Sequence, residues 1–162
     1  MITDKDKKFL KRCVELAKEA LGKGDEPFGS VLVSQDGKVL YEGHNEVSFG
    51  DTLKHPEFAI AKWALYNLSE EERKNAVVYT SGEHCPMCAA AHGWAGLGKI
   101  VYAASSKQLT EWLDEIGADL PRVKTLPINE VITNTVVLGL VEEFAETLKS
   151  YHQESYLKKQ EK

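Results

Sequence analysis

The alternation of short apolar runs with helical segments constrains the fold of this chain more than any other feature. Residues 28–33 and 39–41 form two apolar runs on either side of a turn sequence at 35–37, which predicts a β-hairpin. Two more β-rich runs, at 76–80 and 100–104, each follow a stretch with helical periodicity. A hairpin followed by strand–helix–strand crossovers predicts a mixed sheet with helices on both of its faces.

Helix signals complete the outer layers of the predicted fold. Apolar residues recur at helical spacing between 9 and 21, and this first helix is capped by Thr3 or Asp4 and ended by Gly22. The other predicted elements are helices from 56 and 86, a short helix over 110–116, a strand within 131–138 and a terminal helix over 142–158. We therefore predict an α/β fold, a three-layer α/β/α sandwich with a five-stranded mixed sheet and helices on both faces. Residues 1–162 are expected to form a single domain.

Charge and hydropathy exclude several classes of protein. The chain carries 20 Lys and Arg against 25 Asp and Glu, a net charge of −5, and this acidic balance disfavours nucleic acid as a partner. No apolar run approaches the roughly 20 residues that cross a bilayer, so no membrane association is expected. Residues 1–8 lack the apolar core of a signal peptide, which indicates a cytoplasmic protein.

Two short motifs carry the predicted chemistry. His55-x-Glu57 and Cys85-x-x-Cys88 each stand at the start of a predicted helix. The two cysteines are about one helical turn apart, so both sulfurs can reach the same ion, and the positive end of a helix dipole favours thiolates. With the imidazole of His55 they supply three ligands to zinc and leave the fourth tetrahedral position to water, which is a catalytic arrangement. Glu57 is then placed to move protons at that water.

A Cys-x-x-Cys pair by itself also fits other kinds of site. A thioredoxin-type redox pair would stand near the first strand, whereas this pair follows the third. A structural zinc site needs a fourth protein ligand, and the nearby candidates are His84, which adjoins Cys85, and His92, one turn beyond Cys88. The joint occurrence of both motifs agrees best with a catalytic zinc ion, one per chain.

Together the motifs resemble those of the zinc-dependent cytidine-deaminase-like enzymes, whose signature is H-x-E followed by P-C-x-x-C. The resemblance extends over roughly residues 5 to 116 and includes the segments 27–33, 43–45, 79–83, 94–95 and 102–104. The last two segments are similar to bacterial guanine deaminases in particular. The chain departs from the family pattern at Pro56, where alanine is commonest, and at His84, which replaces the usual proline. We expect His84 near the mouth of the pocket, where it either contacts substrate or is a solvated surface residue.

The resemblance implies hydrolytic deamination of a free nucleobase or nucleoside, with guanine or a related purine as the leading substrate and ammonia as a product. Cytosine or cytidine, and adenosine in transfer RNA, are alternative substrates, although the acidic surface disfavours the last. A non-catalytic binding protein that keeps the fold is a further alternative. Relatives commonly pair, so the resemblance also implies a homodimer.

The resemblance further implies residues that contact the substrate. Asn45 would hydrogen-bond the edge of the base, although an asparagine after a strand is also typical of a turn. Phe28 and Trp94 would stack on the ring or border it. An acidic residue beyond the fourth strand assists at the substrate amine in guanine deaminases, and Asp114 and Glu115 are the candidates here.

Overall fold

A computed structural model describes residues 1–162 and has the predicted three-layer α/β/α architecture. Five strands form one sheet: β1 (Gly29–Val33), β2 (Val39–His44), β3 (Val77–Gly82), β4 (Lys99–Ala104) and β5 (Val137–Leu138). Their spatial order is β2-β1-β3-β4-β5. Strand β1 is antiparallel to both β2 and β3, whereas β4 is parallel to β3 and to β5. The mixed sheet predicted from the hairpin and the crossovers is therefore confirmed.

Six α-helices cover the sheet. They are α1 (Asp4–Gly22), α2 (Pro56–Asn67), α3 (Glu70–Asn75), α4 (Pro86–Ala95), α5 (Ser106–Asp114) and α6 (Ala145–Gln160). Thr3 caps α1, because its hydroxyl accepts a hydrogen bond from the backbone N–H of Asp6. None of these helices is both long and apolar enough to cross a lipid bilayer.

The two faces of the sheet carry separate hydrophobic cores. Val31 and Val33 of β1 pack in a cluster with α1 and with Leu148 of α6. Leu32, which lies between them, points to the opposite face and packs with Ile60 of α2. Successive strand residues point to opposite faces, so a strand buried in the centre of a sheet reads as a continuous apolar run. The uninterrupted burial of β1 is the expected result.

Strand register brings the functional loops to one edge of the sheet. Gly29 at the start of β1 pairs with His44 at the end of β2, and Gly82 at the end of β3 pairs with Ala104 at the end of β4. Helix α4 begins shortly after β3, at Pro86, so its N-terminus stands at this same edge. Residues just outside these strand ends, among them Asn45 and Cys85, therefore lie at the same end of the sheet.

The structure differs from the sequence predictions in three elements. Helix α3 was not predicted; Ser69 begins it through a capping box with Glu72. Helix α5 starts at Ser106 instead of residue 110, because Ser105 forms a capping box with Gln108. The fifth strand is limited to Val137–Leu138. Each helix start depends on hydrogen bonds of one capping residue, which apolar periodicity does not detect.

The carboxylate of Asp6 connects α1 to the sheet through hydrogen bonds. Its carboxylate accepts hydrogen bonds from the backbone N–H and hydroxyl of Thr3 and from the hydroxyl of Tyr79, at 2.7 Å. Burial alone would raise the pKa of Asp6, but these hydrogen bonds and the charge of Lys99, 3.8 Å away, lower it. The ionised carboxylate therefore stabilises the folded state.

We expect Asp6→Asn to lower the free energy of unfolding by about 1–3 kcal/mol at pH 7. A lowered folded pKa gives stability that is complete above the unfolded pKa, near 3.8, and is lost as the pH falls through the folded value. The difference between the two proteins should therefore be constant above about pH 5 and shrink below about pH 4. Urea denaturation across this range measures it, and a difference that grows on acidification would contradict the assignment.

Candidate metal centre

Three side chains from two helix N-termini converge at the functional edge of the sheet. His55 immediately precedes α2, and Cys85 immediately precedes α4, which carries Cys88 in its first turn. The His55 Nδ1 atom lies 3.6 Å from Sγ of Cys85 and 3.6 Å from Sγ of Cys88. All three ligand atoms lie within 4.8 Å of one another. The structure thus brings together the three residues that the motifs predicted.

These distances fit a tetrahedral zinc ion. With Zn–N and Zn–S bonds of about 2.05 and 2.3 Å at tetrahedral angles, a nitrogen and a sulfur ligand stand about 3.6 Å apart. The group contains no fourth ligand, whether histidine, cysteine or carboxylate. His92 lies outside it, and its Nε2 is 2.7 Å from the carbonyl oxygen of Gly98. The three residues could therefore hold zinc with one position open to water, whereas a closed structural site through His92 has no support.

The electrostatics of the centre favour metal binding. Hydrogen bonds from Cys88 and His55 outweigh burial and lower the pKa of Cys85 to about 4. The hydrogen bond between Cys85 and Cys88, together with burial, raises the pKa of Cys88. Of the two thiols, Cys85 therefore loses its proton first. The contact with Cys85 raises the pKa of His55 against the effect of burial. A divalent cation would replace the remaining protons, because zinc binds thiolate sulfur and neutral imidazole.

Glu57 lies in the first turn of α2 and is only 5% exposed. Its Oε1 accepts hydrogen bonds from the hydroxyl of Thr80, at 2.7 Å, and from the hydroxyl of Ser30, at 3.0 Å. Burial raises the pKa of Glu57, while the bond from Thr80 acts in the opposite direction. A carboxyl group in this environment exchanges a proton more readily near neutral pH than an exposed one does.

Ser30 and Thr80 were not identified from the sequence. They pair across β1 and β3, both are fully buried, and their hydroxyls lie 2.9 Å apart. The available signal was the presence of hydroxyl residues within two buried strands, Ser30 in β1 and Thr80 in β3. Such residues fix one carboxylate oxygen of Glu57 and leave Oε2 without a side-chain partner.

Asn45 is completely buried directly after β2. Its Oδ1 accepts a hydrogen bond from the N–H of Val47, at 3.1 Å, which is the turn geometry expected of an asparagine here. Its Nδ2, in contrast, is buried without any hydrogen-bond partner. Buried donors are almost always paired, so this amide is free to donate to a ligand. The turn and the binding interpretations of Asn45 are thus compatible.

The ring of Phe28 packs over the end of β3. A Cβ atom added to Gly82 would stand 2.9 Å from Cε1 of Phe28, so this close approach requires glycine. The carbonyl oxygen of Phe28 accepts a hydrogen bond from the N–H of Asn45, at 3.0 Å. Phe28 is therefore fixed between the loop that carries Asn45 and the strand that leads to Cys85.

The other predicted substrate residues are Trp94, Asp114 and Glu115, none of which belongs to the metal-ligand group. Trp94, near the end of α4, is 91% exposed, so its side chain lies on the surface of one chain. Glu115 forms an ion pair with Lys149 at 2.7 Å. Asp114 lines a cavity that Phe28 also lines. Of the two acidic candidates, only Asp114 faces the side of the fold where Phe28 stands.

The expectation that His84 is a solvated surface residue is wrong. His84 is 1% exposed, and its ring packs edge-on against that of His92, with 5.5 Å between ring centroids. Neither ring nitrogen of His84 has a hydrogen-bond partner, and burial lowers its pKa well below the ordinary value. The substitution of histidine for proline thus places a neutral imidazole inside the protein, beneath α4.

A centre with three protein donors, an open fourth position and a buried carboxylate beside it is that of a zinc hydrolase. Residues 3–104 match the family described as the cytidine and deoxycytidylate deaminase zinc-binding region. The chain belongs to this family, and it is a zinc-dependent enzyme of hydrolytic deamination.

Relatives of the chain act on different substrates. The chain is 38% identical to the guanine deaminase of Bacillus subtilis over 105 aligned residues. The aligned region covers 64% of this chain and 67% of that protein. It is 26% identical over 116 residues to a probable cytosine deaminase of Schizosaccharomyces pombe, covering 72% and 70% of the two chains. A solved structure from a study of tRNA:A34 deaminases matches with a TM-score of 0.62 at 23% identity, over 89% of this chain and 97% of that one. That structure supports the fold alone.

Proposed function

We propose that this single-domain chain deaminates guanine or a related purine, as a free base or a nucleoside. The observation that carries the purine assignment is the 38% identity to the B. subtilis guanine deaminase. The Tyr102-Ala103-Ala104 segment at the end of β4 belongs to the similarity already noted in the sequence. The overall reaction replaces the amino group of the base by the oxygen of water and releases ammonia.

His55, Cys85 and Cys88 would hold the zinc ion, which supplies a water of lowered pKa as the nucleophile near neutral pH. Glu57 then moves the protons of the reaction. Its free Oε2 would accept one proton from the attacking water and deliver it to the ring nitrogen next to the reacting carbon. It would then take the second proton of that water from the hydroxyl group added to the substrate and deliver it to the departing amine, which leaves as ammonia. The hydroxyls of Ser30 and Thr80 hold Oε1, so the carboxylate keeps one orientation through both transfers.

Asn45 and Phe28 would orient the base. The unpaired Nδ2 of Asn45 is a donor, and guanine offers acceptor atoms such as O6 and N7. Phe28, held against Gly82, offers an aromatic surface at the same edge of the sheet. Backbone N–H groups at the start of α4 would stabilise negative charge that develops on the base.

The proposal ranks the alternative substrates below the purines. The relatives named as cytosine deaminases are 26% and 33% identical to the chain, against 38% for the guanine deaminase. Transfer RNA requires a basic surface, whereas this chain has a net charge of −5. A non-catalytic role would not require the buried and hydrogen-bonded carboxylate of Glu57.

A panel of amines tests this proposal. The zinc-loaded protein is incubated with guanine, cytosine, adenine, their nucleosides and an anticodon stem-loop, and ammonia release is measured. We expect the highest kcat/KM among the guanine compounds, and about one zinc ion per chain by elemental analysis. Preferential turnover of cytosine compounds or of the RNA would overturn the purine assignment, and a zinc-loaded protein that is inactive on all of them would indicate a binding protein.

We also propose a homodimer that works in the cytoplasm on small molecules. Large apolar side chains are exposed on one chain, including Trp94 at 91%, Phe49 at 93% and Tyr66 at 84%. Exposed aromatic residues are enriched at protein interfaces. Light scattering should give twice the mass of one chain, and the mass of a single chain would contradict this assignment.

A further inference from the structure

Asp25 carries a buried carboxyl group that the reaction described above does not use. It lies between α1 and β1 and is 3% exposed. The other buried carboxyl groups have roles already described, since Asp6 connects α1 to the sheet and Glu57 stands beside the metal centre. A carboxyl group loses its hydration on burial, and hydrogen bonds within the protein must compensate for that loss. The hydrogen bond of Asp25 therefore indicates what this residue does.

The end of α1 fixes the backbone of Asp25. Gly24 has a φ of 83°, and its N–H donates to the carbonyl oxygen of Leu21 at 3.1 Å. The N–H of Asp25 donates to the carbonyl oxygen of Ala20 at 2.9 Å. These two bonds form a Schellman motif, which ends a helix in one defined geometry and favours glycine at the left-handed position. The side chain of Asp25 therefore starts from a fixed point of the backbone.

The side chain of Asp25 binds the loop that carries Asn45. Its Oδ1 accepts a hydrogen bond from the backbone N–H of Ser48, at 2.8 Å. Ser48 lies in a short 3-10 helix, Val47–Phe49, in which the N–H of Val47 donates to Oδ1 of Asn45. The first N–H groups of a helix have no acceptor within it. Asn45 and Asp25 thus each supply the acceptor for one of two successive N–H groups.

This division of acceptors sets the direction of the Asn45 amide. The Nδ2 atom of Asn45 is buried without a partner, and Oδ1 of the same planar group is bound to Val47. Without Asp25, the N–H of Ser48 has lost its acceptor. Asparagine oxygens at helix starts typically accept from the second or third N–H, and Ser48 supplies the second. The amide would therefore turn toward Ser48 and move Nδ2 out of its native direction.

We propose, building on the proposed deaminase function, that Asp25 is a positioning residue: it holds the N–H of Ser48, so that Asn45 keeps Nδ2 directed at an acceptor atom of the bound base. The two ends of the loop are joined independently of Asp25, since the N–H of Glu46 donates to the carbonyl oxygen of Lys54 at 3.1 Å. Removing Asp25 should therefore redirect one side chain without unfolding the loop.

Substitutions at Asp25 test the proposal. Asp25→Ala removes the acceptor, whereas Asp25→Asn keeps an oxygen that can accept from Ser48. Asp51→Ala is the matched control, because Oδ1 of Asp51 also accepts a backbone N–H of this loop, that of Leu53, farther along the chain from Asn45. The kcat and KM for ammonia release are measured on zinc-loaded protein with the most reactive compound of the amine panel. We expect Asp25→Ala to raise KM about tenfold with kcat and zinc content unchanged. Asp25→Asn and Asp51→Ala should keep the native KM.

A double-mutant cycle with Asn45 separates positioning from a general effect on the loop. In an Asn45→Ala background, Asp25→Ala should leave KM unchanged, because the side chain that it redirects is absent. If Asp25→Ala does not fold, Asp25→Glu replaces it in every comparison, since the extra methylene group displaces the carboxyl oxygens from Ser48. A native KM at Asp25, an equal rise in KM in both backgrounds, or the same rise in Asp51→Ala would overturn the proposal.

The outcome can be distinguished from that of the proposed function. Turnover of cytosine compounds alone would reject the purine assignment and leave the test of Asp25 intact, since the assay uses whichever base reacts. If no amine is turned over, the side-chain amide signals of Asn45 in a nitrogen–proton NMR spectrum decide, identified by their loss in Asn45→Ala. Shifts of these signals in Asp25→Ala, but in neither Asp25→Asn nor Asp51→Ala, support the positioning role. Unchanged signals, or equal shifts in Asp51→Ala, overturn it.

Discussion

Glu57→Gln is expected to reduce kcat/KM for ammonia release by about 10²- to 10⁴-fold while the zinc content stays the same. Glutamine keeps the size of the side chain, and its amide oxygen can still accept hydrogen bonds from Ser30 and Thr80. It cannot carry a proton between water, ring nitrogen and departing amine. The variant therefore isolates proton transfer from folding and from the position of the side chain.

The controls for Glu57→Gln separate its chemistry from general effects. Glu70→Gln changes an exposed glutamate in α3 and should leave turnover unchanged. Elemental analysis and thermal unfolding of Glu57→Gln should match the native protein. Turnover within about tenfold of native would refute the proton-transfer role, since even modest general acid–base catalysis exceeds that factor. A loss of zinc along with activity would instead make Glu57 part of the metal site.

Cys88→Ala is expected to lose both zinc and the stability that zinc provides. Cys88 is fully buried in the first turn of α4, and its sulfur stands 3.6 Å from His55 Nδ1. Two remaining ligands hold zinc poorly, and binding to the folded state alone stabilises it by about 2.7 kcal/mol when zinc is at 100 times its dissociation constant. For a domain of this size, that corresponds to a rise in Tm of about 5–10 °C.

The control for Cys88→Ala is the same substitution at another buried cysteine. Cys13 in α1 is equally buried but lies in the hydrophobic core with no metal-binding partner, so Cys13→Ala should keep one zinc ion and the full rise in Tm on zinc addition. Calorimetric scans with zinc and with a chelator measure both variants. A Cys88→Ala protein with native metal content and an undiminished response to zinc would show that Cys88 is not a ligand.

The outcome at individual residues shows which kinds of inference are safe from sequence. The convergence of the three zinc ligands, His55, Cys85 and Cys88, was predicted correctly. Each of the two motifs that contain them stands at the start of a helix, where local geometry fixes the direction of the side chains. His84 was misplaced, because its burial depends on what covers it, and that is the neighbouring helix and His92. Trp94 was predicted from the family resemblance to contact the ring of the substrate, yet its side chain is exposed to solvent in one chain.

The sequence by itself determined the layered fold and the ligand set, since apolar periodicity and proline at helix starts act over a few residues. The tertiary structure alone decided how Ser30 and Thr80 orient Glu57, and how α6 places the ring of His152 against that of Phe28. Those contacts join residues that are far apart in the chain. Their geometry follows from strand register and helix packing, and no local pattern of residue types encodes either of these completely.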